Sequence, residues 1–269
     1  MKAVRWVVFV VVVFVFNFPL LATLVTSLKT TADISSSPPA WLFRPTGEHY
    51  RAIFTSSTLD FPHFLTNSVV IASLGTLIAV AVTLPAAYGV VRFGLGRNTL
   101  LPLVTNLRAV PLIIFAIPFY LMFQALGLLD SRLGLSLIAC LINLPLALLL
   151  FVGFIQDFPV EIDEAARIDG ATTLGVFWHM ILPLSRTVTA AVAILSFIYA
   201  WNEFLFGLIL TTRNATPVTV GATFFVTSYG VQWGETAAAM VLSVLPPALL
   251  GVLCYRYLAK ALVAGAVKG

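Results

Sequence analysis

Residues 134–185 read GLSLIACLINLPLALLLFVGFIQDFPVEIDEAARIDGATTLGVFWHMILPLS, and the change of character inside this stretch decides the fold class. The part 134–156 contains no Asp, Glu, Lys or Arg. A helix of about 20 such residues crosses the hydrocarbon core of a bilayer. The part 157–185 is charged where its surroundings are not, too polar to span and too patterned for a mere linker. Pro159 suits the first turn of a helix. Glu161, Asp163 and Glu164 then lie near its N-terminus, where the macrodipole favours negative charge, which predicts a short helix over about 160–169. Gly170 can end that helix in a left-handed conformation without a Cβ penalty, Thr172 or Thr173 can cap a second helix, and Pro183 stops it. The expectation is a helix, a sharp turn and another helix, with Ala165 and Ala166 leaving one surface small enough for close approach by a partner.

Working outward, the whole chain of 269 residues is 60% hydrophobic and 10% charged, with mean hydropathy +1.02. A soluble domain carries about 25% charged residues. Lipid is therefore the solvent. The net charge of +4 does not point to nucleic acid, because the 15 Lys and Arg residues fall singly between apolar runs and form no basic stripe. Cys140 and Cys254 both lie in apolar stretches and read as packing residues. His49, His63 and His179 are far apart and show no ligand spacing, so no metal site is expected.

Six apolar runs are long enough to cross, at about 4–28, 65–91, 100–125, 134–156, 187–211 and 236–258. The first has a basic start, but its apolar run continues past Pro19 to Leu28, beyond the length of a signal-peptide core, and it is expected as a retained span, with a signal anchor as the alternative. An even number of spans puts both termini on one side. Lys2, Arg5, Arg92, Arg97, Arg167, Arg186, Arg256, Lys260 and Lys268 fall on that side; Lys29, Arg44, Arg51, Arg132 and Arg213 fall on the other. The bias assigns the termini to the cytoplasm. On the outer side, residues 29–64 hold the helix-breaking Pro38, Pro39 and Pro45 with the interfacial aromatics Trp41, Phe43 and Tyr50, and residues 211–235 form a second segment. Pro85, Pro102, Pro111, Pro118 and Pro145 fall within spans and predict kinks that leave room for a path. The expected architecture is an all-α polytopic bundle, a single transmembrane domain over 1–269, with a cytoplasmic loop at 157–185 and a cytoplasmic tail at 259–269.

The spacing Glu164-Ala165-Ala166, three residues, Gly170, nine residues, Met180, one residue, Leu182-Pro183 resembles the EAA loop of ABC-importer permeases. Met180 stands where isoleucine is usual, a volume-conserving swap. The stretches EHYRAIF, LTNSVVIA, FYLMFQALGLLDSRLGL, WNEFLFGLIL and LVAGAVKG extend the resemblance to the carbohydrate-uptake branch, specifically the second permease of maltose-type heterodimers. That resemblance implies a type I importer permease in the bacterial inner membrane, carrying a sugar or sugar-like solute. Its partners would be a second permease subunit, a cytoplasmic ATPase dimer and an extracytoplasmic solute-binding protein touching the 211–235 loop. Glu164, Ala165, Ala166, Asp169, Gly170, Met180, Leu182 and Pro183 would make the ATPase-coupling element, and the C-terminal tail would reach the ATPase interface.

No G-x-x-x-x-G-K-[ST] occurs, so the chain encodes no phosphate cradle of that kind; ATP and Mg belong to the partner ATPase, and no catalytic residue or cofactor is expected in this chain. Asn202 and Glu203 in the fifth run, with Asn143 in the fourth, are candidates for the solute path, the alternative being a polar clamp between helices. A carboxylate in lipid costs about 2.5–3.5 kcal/mol on insertion scales, so they should face the bundle interior. Arg108 sits near enough to the cytoplasmic end of its run to snorkel. The competing readings are an ion-coupled secondary transporter, for which Glu203 is the single carboxylate candidate, and a non-transport membrane scaffold.

Overall fold

An unpaired backbone N–H or C=O in hydrocarbon costs several kcal/mol, so a chain this apolar has to satisfy its backbone within helices. The computed structural model describes residues 2–56, 59–227 and 230–266, with side chains described from Val4 to Tyr255 within those ranges. In chain order its helices are α1 (Lys2–Ser27), α2 (Thr31–Ile34), α3 (Glu48–Thr55), α4 (Phe61–Phe93), α5 (Leu100–Asn106), α6 (Ala116–Ala125) and α7 (Arg132–Gln156). There follow α8 (Val160–Ile168), α9 (Thr173–Val176), α10 (Leu182–Leu184), α11 (Arg186–Trp201), α12 (Leu205–Leu210), α13 (Val218–Gly221) and α14 (Trp233–Ala266). Among the described residues the only strands, Val226–Thr227 and Gly230–Val231, form a two-residue antiparallel pairing.

Among the described residues four helices are long and apolar enough to cross a membrane, and the number rises to six if each of two sharply bent pairs is one span. The third expected span, 100–125, is one of those pairs: Leu100–Ala109 and Leu112–Ala125 meet at 105°. Pro111 sits in the extended break between them. Pro102 and Pro118 lie in the first turns of α5 and α6, where a missing N–H costs nothing, while Pro85 and Pro145 lie inside α4 and α7. In the other pair Thr173–Leu184 meets α11 at 72°. The fifth expected span, 187–211, is α11 continued by α12 after an interruption at 202–204. The backbone stays helical through Ala266, so residues 259–266 of the expected tail continue α14; residues 267–269 and the tail's side chains lie outside the described residues.

The chain divides into two compact units. In the first, made of 1–66 and 218–246, Lys29 lies over the rings of Trp41 and Phe43, and Tyr50 shares a 2.8 Å hydrogen bond with Ser27. His49 is buried, with Nδ1 3.3 Å from the Glu235 carboxylate. Gly234 packs so closely on the His49 ring that a Cβ there would overlap it.

The second unit, 67–217 and 247–269, holds a core of Leu84, Tyr88, Leu148, Phe151, Ile155, Val176 and Ile181. Its two long helices, α4 and α7, approach through small residues: a Cβ built on Gly75 would lie 2.7 Å from Ala139 Cβ and 2.9 Å from the Ser136 carbonyl oxygen. Close backbone approach of this kind is how helices associate where lipid supplies no hydrophobic drive.

Candidate coupling loop and membrane path

The charged stretch 157–185 forms a helix, a turn and a second, interrupted helix. Pro159 stands just before α8 in an extended conformation, as its cap and not inside its first turn. Gly170, at φ 89°, takes the positive-φ turn after α8, and the Thr172 hydroxyl accepts the Gly175 N–H at 3.1 Å to cap α9. A single π-helical turn, Phe177–Ile181, leads into α10, which ends at Leu184, one residue beyond Pro183. Such turns reorient a helix face without breaking it.

Burial sorts the coupling residues into two groups. Glu164, Ala165, Asp169, Gly170 and Pro183 are exposed. Ala166 is buried in the core, and Met180 and Leu182 pack against it half-buried. The motif therefore has an outward start and an inward anchor. Apolar side chains share the outward surface: Ile168 is 86% exposed, Leu174 69% and Trp178 57%. Leaving such groups in water is unfavourable, so the face has the composition of a docking surface, with acidic groups beside apolar ones.

Asp163 does not join the outward charges. It is buried, and its Oδ2 accepts a 2.8 Å bond from Arg92 Nε at the end of α4. Arg92 Nη2 also donates to the Phe158 carbonyl at 2.9 Å. One turn along α8, the Arg167 guanidinium lies 5.6 Å from the centroid of the Phe93 ring.

The three candidate path residues separate in space and role. Asn143 is buried, donates from Nδ2 to the carbonyls of Ala139 and Ser196, and lines a cavity of about 300 Å³ at the break in the third span. The rings of Phe115, Phe119, Tyr199 and Phe206 line the same cavity, and so does Arg108. Glu203 instead occupies the interruption in the fifth span, where its carboxylate accepts the N–H groups of Phe206 at 2.9 Å and Gly207 at 3.1 Å. It caps the helix as it restarts. Asn202 is exposed and donates back to the Ile198 carbonyl at 2.7 Å.

A family model described as the binding-protein-dependent transport system inner membrane component matches residues 79–264, a range that holds the 157–185 loop and the cavity. The chain belongs to this family. Over 255 residues the permease is 34% identical to the trehalose/maltose transport system permease protein MalG of Thermococcus litoralis, covering 94% of this chain and 91% of that one. It is 32% identical to the sulfoquinovosyl glycerol transport system permease protein SmoH of Agrobacterium fabrum, over 94% and 89% of the two chains. A solved bacterial ABC transporter for import of the acidic polysaccharide alginate matches with a TM-score of 0.75 over 95% of both chains at 20% identity, which shows a common fold, that of a type I ABC importer permease.

One feature of the permease's loop does not emerge from its residues taken in order. The buried role of Asp163 depends on Arg92, distant in sequence, and no local signal marks the pair. The exposed Ile168, Leu174 and Trp178 do carry a signal: they are apolar residues in a charged stretch.

Proposed function

We propose that this permease forms one half of the membrane path of an ATP-driven importer for a sugar or sugar-like solute. A second permease completes the path, a separate cytoplasmic ATPase dimer binds ATP and Mg, and an extracytoplasmic solute-binding protein delivers the cargo. The observation that carries this reading is the outward face of the α8–α9 hairpin, where Glu164, Ala165, Asp169 and Gly170 stand exposed beside Ile168, Leu174 and Trp178. A rigid, part-apolar surface on a membrane protein is what a force-delivering partner grips. The names of the trehalose/maltose and sulfoquinovosyl glycerol relatives support the solute class. The excess of Lys and Arg on the terminal side supports cytoplasmic termini with the hairpin on the same side.

Within the membrane the aromatic-lined cavity at Asn143 is the part of this chain suited to a solute path, since irregular backbone at membrane depth is tolerated where it lines a cavity. Glu203 is committed to capping α12, which weakens the case for an ion-coupled transporter built on that carboxylate.

Copurification from detergent-solubilised membranes tests the assembly. The permease should bring down an ATPase and a second multi-span permease, and calorimetry of the associated binding protein with maltose, trehalose and glycerol 3-phosphate should reveal the solute class. Glu164→Lys, which reverses an exposed charge, and Gly170→Val, which forces a branched side chain to positive φ, should each weaken ATPase retention at least about tenfold. Retention unchanged in both variants would remove the hairpin from the coupling role.

A further inference from the structure

A helix of nine residues joined to its neighbours by turns at both ends is a poor lever: pushed on one face, it swivels. The turns here are 157–159, with Pro159 extended, and 169–172, with Gly170 at positive φ. Besides the burial of Ala166 in the core, what holds α8 against such rotation is the end of α4. Arg92 binds two points at once, the Phe158 carbonyl in the incoming turn and the Asp163 carboxylate within α8, and the side chains of the pair are 9% and 4% exposed. Phe93, the next and last residue of α4, lies under Arg167. Asp163 and Arg167 are four residues apart and so share one side of α8; Asp163 is buried there, and Arg167 is exposed and borders the face on which Glu164 and Ile168 stand. Two consecutive residues at the tip of a 33-residue helix thus grip one side of α8 and leave the other free.

We infer that Arg92 and Asp163 are positioning residues that lock α8 to α4, so that a displacement imposed on the exposed face of α8 is delivered as movement of the whole of α4 and is not lost as rotation of α8 in its own turns. The inference rests on the reading of that face as an ATPase contact. The geometry favours it over simple fold stabilisation, because the fork of Arg92 spans the incoming turn and the helix, one of the two places where rotation would be absorbed. Arginine suits this joint because its planar guanidinium offers donors in fixed directions, which a lysine ammonium does not.

The test uses the complete importer in lipid nanodiscs, with Cys140 and Cys254 replaced by alanine and nitroxide labels at Ile168→Cys on α8 and Leu95→Cys just past α4, both exposed positions. Distances are measured without nucleotide and after trapping with ATP and vanadate. With Arg92 and Asp163 intact, the two labels should keep one narrow separation in both states. In Asp163→Asn and in Arg92→Gln the separation should broaden, and it should shift when nucleotide is trapped. Arg92→Lys keeps the ion pair and should fall between the two. An unchanged, narrow separation in Asp163→Asn would overturn the inference, as would an ATP-dependent shift with the pair intact. Absence of any copurifying ATPase from the intact importer would instead overturn the docking reading, so the two failures are told apart.

Discussion

Two polar knots in the unit containing α7 are built on opposite plans. At the α4 tip, side chain meets side chain: one guanidinium and one carboxylate, both nearly out of solvent, with the Phe158 carbonyl beside them. At the other end of α7, side chains meet backbone. Asp130 accepts the N–H groups of Thr212, Arg213, Asn214 and Ala215 and the Thr212 hydroxyl, while its own N–H donates to the Leu210 carbonyl at 2.8 Å. Asn67, fully buried, donates to the carbonyls of Asn214 and Thr216 and accepts from Arg132 Nε at 2.7 Å. The first knot rests on few bonds; the second spreads its load over many. An element that transmits motion needs a joint that engages or disengages as a unit, whereas a loop that must hold its place is better served by redundancy.

The largest effect expected from this contrast comes at the α4 tip. Arg92→Ala strands the Asp163 carboxylate in a buried position, and breaking a buried pair from one side costs about 3–5 kcal/mol. The double variant Arg92→Ala, Asp163→Ala removes both charges and should recover much of that loss. A double-mutant cycle on the thermal midpoint of the reconstituted complex measures the coupling directly. Strict additivity of the two single variants would erase the distinction drawn between the knots.

Asn67→Ala should have an intermediate effect. It leaves the Asn214 and Thr216 carbonyls and the Arg132 guanidinium without their shared partner, at about 1–3 kcal/mol for a buried polar group left unsatisfied. Because the Asp130 bonds survive, protease should cut within 211–217 only modestly faster than in the unaltered chain. Cleavage as complete as in an Asp130, Asn67 double variant would show that the knot at Asp130 has no redundancy.

How much of this is legible in the sequence follows the range of each interaction. The spans are legible because lipid imposes a length and an apolar content on local sequence, and the hairpin because Pro159, Gly170 and Thr172 act on their immediate neighbours. The right angle in the third span is not: Pro111 announces a break, but its size depends on what fills the space around it. Nor is the inward turn of Ala166 and Asp163, because charge pattern alone places every acidic residue of α8 on the outer face and the partner lies 71 positions away. Glu203 stands out as misplaced in an apolar span, yet its use as a helix cap requires knowing that the helix stops and restarts there. Asp130 carries a faint mark, sitting between Leu129 and Ser131 in a loop, and it takes positive φ, unusual for any residue but glycine. Its four amide donors lie more than 80 positions along the chain.

The smallest expected effect is also the one with a pH signature. Burial pushes the Asp130 carboxyl upward, but the N–H groups of Asn214, Ala215 and Thr212 outweigh it and hold it at about 2, below its ordinary 3.8. A carboxylate lowered in the folded state adds stability that is complete above the unfolded value and is lost as pH falls through the folded one. The half-exposed position and solvent screening keep the contribution small, and Asp130→Asn, which sets an amide donor against backbone donors, should cost about 1–2 kcal/mol at neutral pH. The gap in thermal midpoint between the two proteins should therefore stay constant from about pH 8 to about pH 5 and narrow only below about pH 4. The carboxylate is held by backbone N–H groups and one threonine hydroxyl, none of which titrates near neutrality, so no second inflection should appear there. A gap that changes between about pH 7 and about pH 6 would mean that a group other than this carboxylate controls the knot, and the contrast between a charge-paired joint and a backbone-held loop would have to be redrawn around that group.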